Sequence, residues 1–169
     1  MCNQNTGTGF STGWMTIFRQ FEMGPENFNR SWSDYKNGFG NPNKEFFVGL
    51  EKLYLATYER PHELYIKLEG NDKVRYWYYD NFTIGSEKES YPLKSLGTYS
   101  GTEPDIYSPY KNKEFSTFDR RNSQYFIRAI SIILGQLGQC SLSWLNIEFF
   151  GTLRIRHNIS LQSFFSKLK

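Results

Sequence analysis

The chain offers few starting points for acid–base, thiol or soft-metal chemistry. His62, His157, Cys2 and Cys140 are its only histidines and cysteines. Neither histidine has a cysteine or carboxylate at the short spacing by which a chain gathers metal ligands. No G-x-S-x-G, H-E-x-x-H or phosphate-cradling P-loop occurs, and Cys140 lacks the local signature of a thiol protease. A lone histidine is far more often a surface or core residue than a catalytic one, so the sequence reads as a non-enzyme. Two cysteines do not make a disulfide framework, and sequence alone leaves a Cys2–Cys140 bond and two free thiols both open. Three N-x-[ST] sequons, at Asn29, Asn81 and Asn158, are candidate glycosylation sites and lean towards export.

The elements that must position any site are built from aromatic residues. The 169-residue chain, of a length for one domain, contains 15 Phe, 12 Tyr and 4 Trp. Rings of this size carry large buried areas and can close a core with modest aliphatic content, whereas a disordered chain is poor in them. The net charge of +3 is spread over 20 basic and 17 acidic residues. No basic stripe of the kind a phosphate backbone selects is present, which disfavours nucleic acid as a partner. The longest apolar run, 129–134, falls far short of the roughly 18 residues of a membrane span. The first residues lack the basic and apolar regions of a signal peptide.

Period and punctuation give the coarse layout. Residues 3–13 are rich in Asn, Gln, Thr, Gly and Ser, as a loop is. Ser31 can cap a short helix that Gly38 stops. Phe46, Leu50, Leu53, Tyr54 and Thr57 recur at helical spacing and predict a helix starting near Gly49. Over 62–84 the period changes to two. Leu64, Ile66 and Leu68 share one face, Gly70-Asn71-Asp72 turns, and Val74, Tyr76 and Tyr78 alternate, which predicts a β-hairpin in a central sheet. Residues 91–99 read as a further short strand, and 100–125 as a long irregular segment.

Seven segments in order then carry a resemblance. They are GWMTIFRQ (13–20), FNRSW (28–32), DYKNGFG (34–40), EFFVGLEKL (45–53), YDNFTIG (79–85), YSGT (99–102) and KEFSTFD (113–119). Together they resemble the fibrinogen C-terminal domain family, which includes ficolins, tachylectins, angiopoietins and tenascins. The resemblance implies an α+β fold: a central antiparallel sheet, short helices and a loop-rich C-terminal subdomain. It implies one domain over 1–169, incomplete at its N-terminal part and divergent over 120–169. Trp14, Trp32 and Trp77 read as core and subdomain glue.

The departures from the family shape the functional expectation. Family members bind calcium through a D-x-D-x-D run after Phe-Ser-Thr-aromatic. Here the run is Asp119-Arg120-Arg121-Asn122-Ser123, with Arg121 and Ser123 where metal-binding carboxylates are expected. A guanidinium has no acceptor and repels the ion, so the calcium site is expected to be lost and no cofactor is expected. The family's ligand pocket follows, where this chain has Cys140, Ser141 and Trp144 as a degenerate set. Cys140 fits the family's second pocket cysteine, but its partner position falls near Ile127. Cys2 would pair with a residue ahead of this sequence, so the two cysteines are expected not to be joined. Residues 160–169 faintly echo the family's closing strand. The resemblance implies a secreted, extracellular recognition domain, lectin-like towards acetylated or modified glycans in innate immunity. The alternatives are a protein-binding signalling or matrix module of the angiopoietin or tenascin kind, or a decayed paralogue. Expected partners are glycans or cell-surface proteins, with homo-oligomers formed through a region preceding this sequence.

Overall fold

A computed structural model describes residues 13–21, 24–70, 73–120 and 151–157. Strand β1 (Met15–Arg19) leads through a loop to helix α1 (Trp32–Asn37), and strands β2 (Phe39–Gly40) and β3 (Phe46–Phe47) follow. Helix α2 (Leu50–Tyr58) precedes the long hairpin of β4 (His62–Gly70) and β5 (Lys73–Ile84). Short strands β6 (Leu93–Ser95) and β7 (Tyr99–Gly101) and the late strand β8 (Gly151–His157) complete the described strands.

Both helices start and stop where their residue types dictate. The Ser31 side chain accepts from the Asp34 amide, and the Asp34 carboxylate accepts from the Ser31 amide, so α1 opens on a reciprocal capping box. Gly38 ends it and Gly49 opens α2, at φ 90° and 106°, angles that favour glycine. The two glycines also lie against each other's segments. A Cβ on Gly38 would meet the Val48 carbonyl oxygen at 2.5 Å, and one on Gly49 would meet the Asn37 carbonyl carbon at 2.7 Å.

The hairpin forms and β4 buries the face its period predicts, but β5 turns Trp77 and Tyr79 inward, leaving Val74 exposed and Tyr76 and Tyr78 half-buried. Leu64 faces Tyr79 and Ile66 faces Trp77 across the β4–β5 ladder, and Leu64, Ile66 and Leu68 are buried together. Residues 91–99 give β6 and the first residue of β7, two short strands in place of one. From 102 to 120 the chain is irregular apart from one 3₁₀ turn, Ser108–Tyr110, in agreement with its turn-rich composition.

Strand β8 has no counterpart among the elements read from the sequence. The sequence places an echo of a closing strand at 160–169, outside the described residues. The structure has β8 at Gly151–His157, in the middle of the sheet. Among the described residues the ladder order is β2-β3-β1-β8-β4-β5-β6, with β7 also on β5, and every pairing is antiparallel. The period-two run Leu153-Arg154-Ile155-Arg156 carries the signal for this strand, and Ile155 is buried.

The core is aromatic, as composition implies, and three of its tyrosines hydrogen-bond through their hydroxyls. Tyr35 donates to the Phe28 carbonyl at 2.8 Å and Tyr79 to Asp105 at 2.6 Å, while Tyr91 donates to Glu51. Trp32 and Trp77 are buried in this core, and Trp14 is half-buried with its ring 5.9 Å from that of Tyr65.

Candidate functional site

The segment that opens the divergent third returns to the start of α1. Phe115 is buried between Tyr35 and Trp32, at ring separations of 5.1 and 5.7 Å, and its amide donates to the Ser90 carbonyl. Two residues on, Thr117 and Arg120 exchange backbone hydrogen bonds of 2.9 and 3.3 Å, closing a tight turn. Phe118 stands at its tip, 58% exposed.

The turn delivers Asp119 and Arg120 to opposite tasks. Asp119 accepts from the Trp32 amide with Oδ1 at 3.0 Å and Oδ2 at 3.3 Å, so both carboxylate oxygens serve the first turn of α1. The neighbouring Thr117 hydroxyl, then the bond from the Trp32 amide, holds its carboxyl below the usual aspartate range. The Arg120 guanidinium lies 3.8 Å from the centre of the Trp32 ring and donates to the Ser90 hydroxyl at 3.3 Å. Trp32 Nε1 donates to Glu87 at 3.1 Å, and Lys36 bridges to the same carboxylate at 2.6 Å. Those two contacts, Lys36 first, hold Glu87 below its ordinary range. Trp32 also stacks on Tyr91, with ring centres 5.7 Å apart.

This cluster contains uncommon backbone. Ser90 and Tyr91 are consecutive non-glycine residues at φ 63° and 44°. Burial, then the bond to Glu51, pushes the Tyr91 hydroxyl well above its ordinary range, so it stays a donor.

The nearby surface concavity is polar, lined by Glu89, Pro92, Lys94, Asn112 and Glu114 and bearing the Lys94–Glu89 ion pair. It has no aromatic wall. Exposed apolar side chains protrude elsewhere: Leu55 and Tyr58 on α2 are 59% and 71% exposed, and Tyr58 packs on Tyr54 at 5.4 Å.

Of the site residues expected from sequence, Asp119 lies in the cluster. Arg121, Ser123, Cys140, Ser141, Trp144, Cys2 and Asn158 lie outside the described residues. Asn29 and Asn81 are exposed. The two histidines are not isolated from each other: His62 and His157 are register partners across β4 and β8. His62 Nδ1 lies 2.9 Å from the Arg60 carbonyl oxygen. Among the described residues no three His, Cys, Asp or Glu side chains converge as a metal-ligand set. Sequence reading missed the Arg120–Trp32 stack, because the partners stand 88 positions apart and each has an ordinary local explanation. It also missed Glu45, a carboxylate only 3% exposed that accepts from the amides of Phe21 and Glu26 at 2.8 and 3.0 Å.

Residues 1–145 match the family described as fibrinogen beta and gamma chains, C-terminal globular domain. Fibrinogen-like protein 1 of Bos taurus is 41% identical over 128 residues, covering 67% of this chain and 40% of its own. Tenascin-R of Gallus gallus is 36% identical over 121 residues, covering 72% of this chain and 9% of its own. The chain thus spans well under two thirds of these curated relatives. Among solved structures, the fibrinogen-like globe domain of human ANGPTL2 superposes with a TM-score of 0.76 at 26% identity, over 93% of this chain and 84% of that domain.

Proposed function

The chain belongs to the fibrinogen C-terminal globular domain family, and from that premise we propose that it is an extracellular, non-enzymatic module that recognises proteins, of the signalling or matrix kind. The observation that carries this reading is its kinship with tenascin and angiopoietin-like domains over most of its length. This favours the reading that sequence alone ranks second to glycan binding.

Physical chemistry supports the same choice. The concavity beside the Trp32 cluster is lined mainly by charged and polar side chains, a setting suited to polar contacts with a protein surface. The exposed large apolar groups stand proud of the surface instead, as Leu55, Tyr58 and Phe118 do. Protruding aromatic and aliphatic anchors of this type dominate protein–protein interfaces. The proposal includes no calcium. It is supported by Arg121 and Ser123, which stand where the family's metal-binding carboxylates are expected, a guanidinium and a hydroxyl in place of two anionic ligands.

Two assays test the reading together. The chain should pass through acetylated agarose unretained, and surface cross-linking should capture a protein partner that Leu55→Glu/Tyr58→Glu releases. Retention that free N-acetylglucosamine elutes overturns the proposal in favour of a lectin.

A further inference from the structure

Strand β5 carries an irregularity at one of the sequons. His62 pairs with Phe82 and Leu64 with Tyr79, so two steps along β4 face three along β5. Such a bulge leaves one residue unpaired on the longer strand and re-aims its side chains. The extra residue falls at Asp80–Asn81. Asp80 turns to accept from the Thr98 amide at 2.6 Å. The Asn81 amide donates to the Leu96 carbonyl at 3.1 Å, while its side chain is exposed. Phe82 beside it is buried, so Asn81 stands on a fixed base.

Asn29 has a comparable setting by another route. It lies between buried Phe28 and the helix cap Ser31, and its amide donates to Asn27 Oδ1 at 2.9 Å. The Arg30 side chain is drawn away to Glu26 at 2.7 Å and over the Phe39 ring, leaving Asn29 exposed.

We infer that Asn81, presented by the β5 bulge, and Asn29, presented ahead of α1, are N-glycan acceptors. This rests on the extracellular reading above, because the sugar donor is met along the export route. The donor is an oligosaccharide carried on a lipid pyrophosphate. The asparagine side-chain nitrogen attacks C1 of its first sugar. A C–N bond forms as the C1–O bond to pyrophosphate breaks, the lipid pyrophosphate leaves with the electron pair, and the amide proton passes to a base of the transferase. No oxidant or reductant is needed. In the folded chain the Ser31 hydroxyl is bonded to Asp34 at 2.8 Å. Transfer to Asn29 therefore precedes capping of α1, and the fold's part is to leave both glycans in solvent.

The full chain is expressed behind an added export leader in eukaryotic cells, and its mass is read in whole-cell lysate, where misfolded or retained protein still counts. Peptide mapping after amidase treatment, which turns each occupied asparagine into aspartate, should report positions 81 and 29. Asn81→Gln and Asn29→Gln should each remove one glycan, and Thr83→Val should match Asn81→Gln. An unmodified mass, or a glycan load that neither asparagine variant changes, overturns the assignment. The extracellular reading is tested separately, by whether the natural protein is found in the medium of its own cells. Its absence there with positions 81 and 29 modified behind the leader sinks that reading and keeps both acceptors.

Discussion

Replacing Arg120 by Met keeps the apolar stem and removes the planar cation. Two contacts go with it: the stack 3.8 Å above Trp32 and the bond to the Ser90 hydroxyl at 3.3 Å. A cation over a tryptophan face contributes about 0.5–1 kcal/mol when exposed and about 2 kcal/mol when desolvated. Arg120 is half-buried, which places the stack near 1 kcal/mol by the same scale. A neutral hydrogen bond contributes roughly 0.5–1.5 kcal/mol, with a longer one at the lower end. The loss should total about 1–2 kcal/mol, and a domain of this size loses about 2–4 °C of Tm per kcal/mol. Thermal unfolding of Arg120→Met should therefore fall by about 2–8 °C. Arg120→Lys should recover only part of this, because an ammonium keeps the charge but not the plane. A double-mutant cycle with Trp32→Phe isolates the stack and should give a coupling of about 0.5 kcal/mol or more. A Tm drop no larger than that of Lys111→Met on the exposed surface, or a coupling of zero, would refute the reasoning.

Asp105 accepts from Tyr79 and from the Tyr107 and Ser108 amides. Burial opposes its charge, but these bonds outweigh burial and lower its folded pKa. Its stabilisation is therefore full above the unfolded aspartate range and is lost as pH falls through the folded value. Acid titration of Tm should show a fall that Asp105→Asn flattens; identical acid limbs would count against it. Glu45→Gln should destabilise by about 1–3 kcal/mol, because one of the two amides it serves is left facing a donor; unchanged denaturant midpoints would dispose of this role. Arg121→Asp/Ser123→Asp should create calcium binding in the range of about 10⁻⁴–10⁻³ M and a calcium-dependent rise in Tm that the parent chain lacks. A rise in the parent would show other oxygens holding the ion. Intact mass before and after alkylation should find Cys2 and Cys140 unjoined, and a bridged monomer would contradict that expectation.

What was legible in the sequence was local or periodic. Ser31 and Gly38 mark α1 because caps are local chemistry, and Leu64, Ile66 and Leu68 reveal the hairpin face because strand geometry imposes period two. Strand β8 carried the same alternation over a shorter run, but it lies in the divergent region, where family motifs no longer guide the eye. The Arg120–Trp32 stack and the Glu45 anchor depend on which distant segments meet. Arg120 in a loop and Glu45 before a strand look like ordinary solvated charges until the fold brings Trp32 against the one and the Phe21 and Glu26 amides against the other. His62 and His157 became neighbours for the same reason, through the β4–β8 register.

The central position of β8 has a consequence for how the chain reaches its fold. Without that strand the sheet falls into two pieces, β2-β3-β1 on one side and β4 with its hairpin partner and the short strands on the other. Each piece would present an open edge, along β1 and β4, with unpaired amides and carbonyls ready to template another chain. During synthesis both edges stay open until residues 151–157 have left the ribosome, long after the hairpin can close. Pairings across so much sequence are slow to form, so the nascent domain passes through an interval in which it is most prone to associate with its own copies. Burial of the rest of the core cannot shorten that interval. A helper that covers the β1 and β4 edges, or faster arrival of β8, would raise the yield of folded protein without changing its final stability.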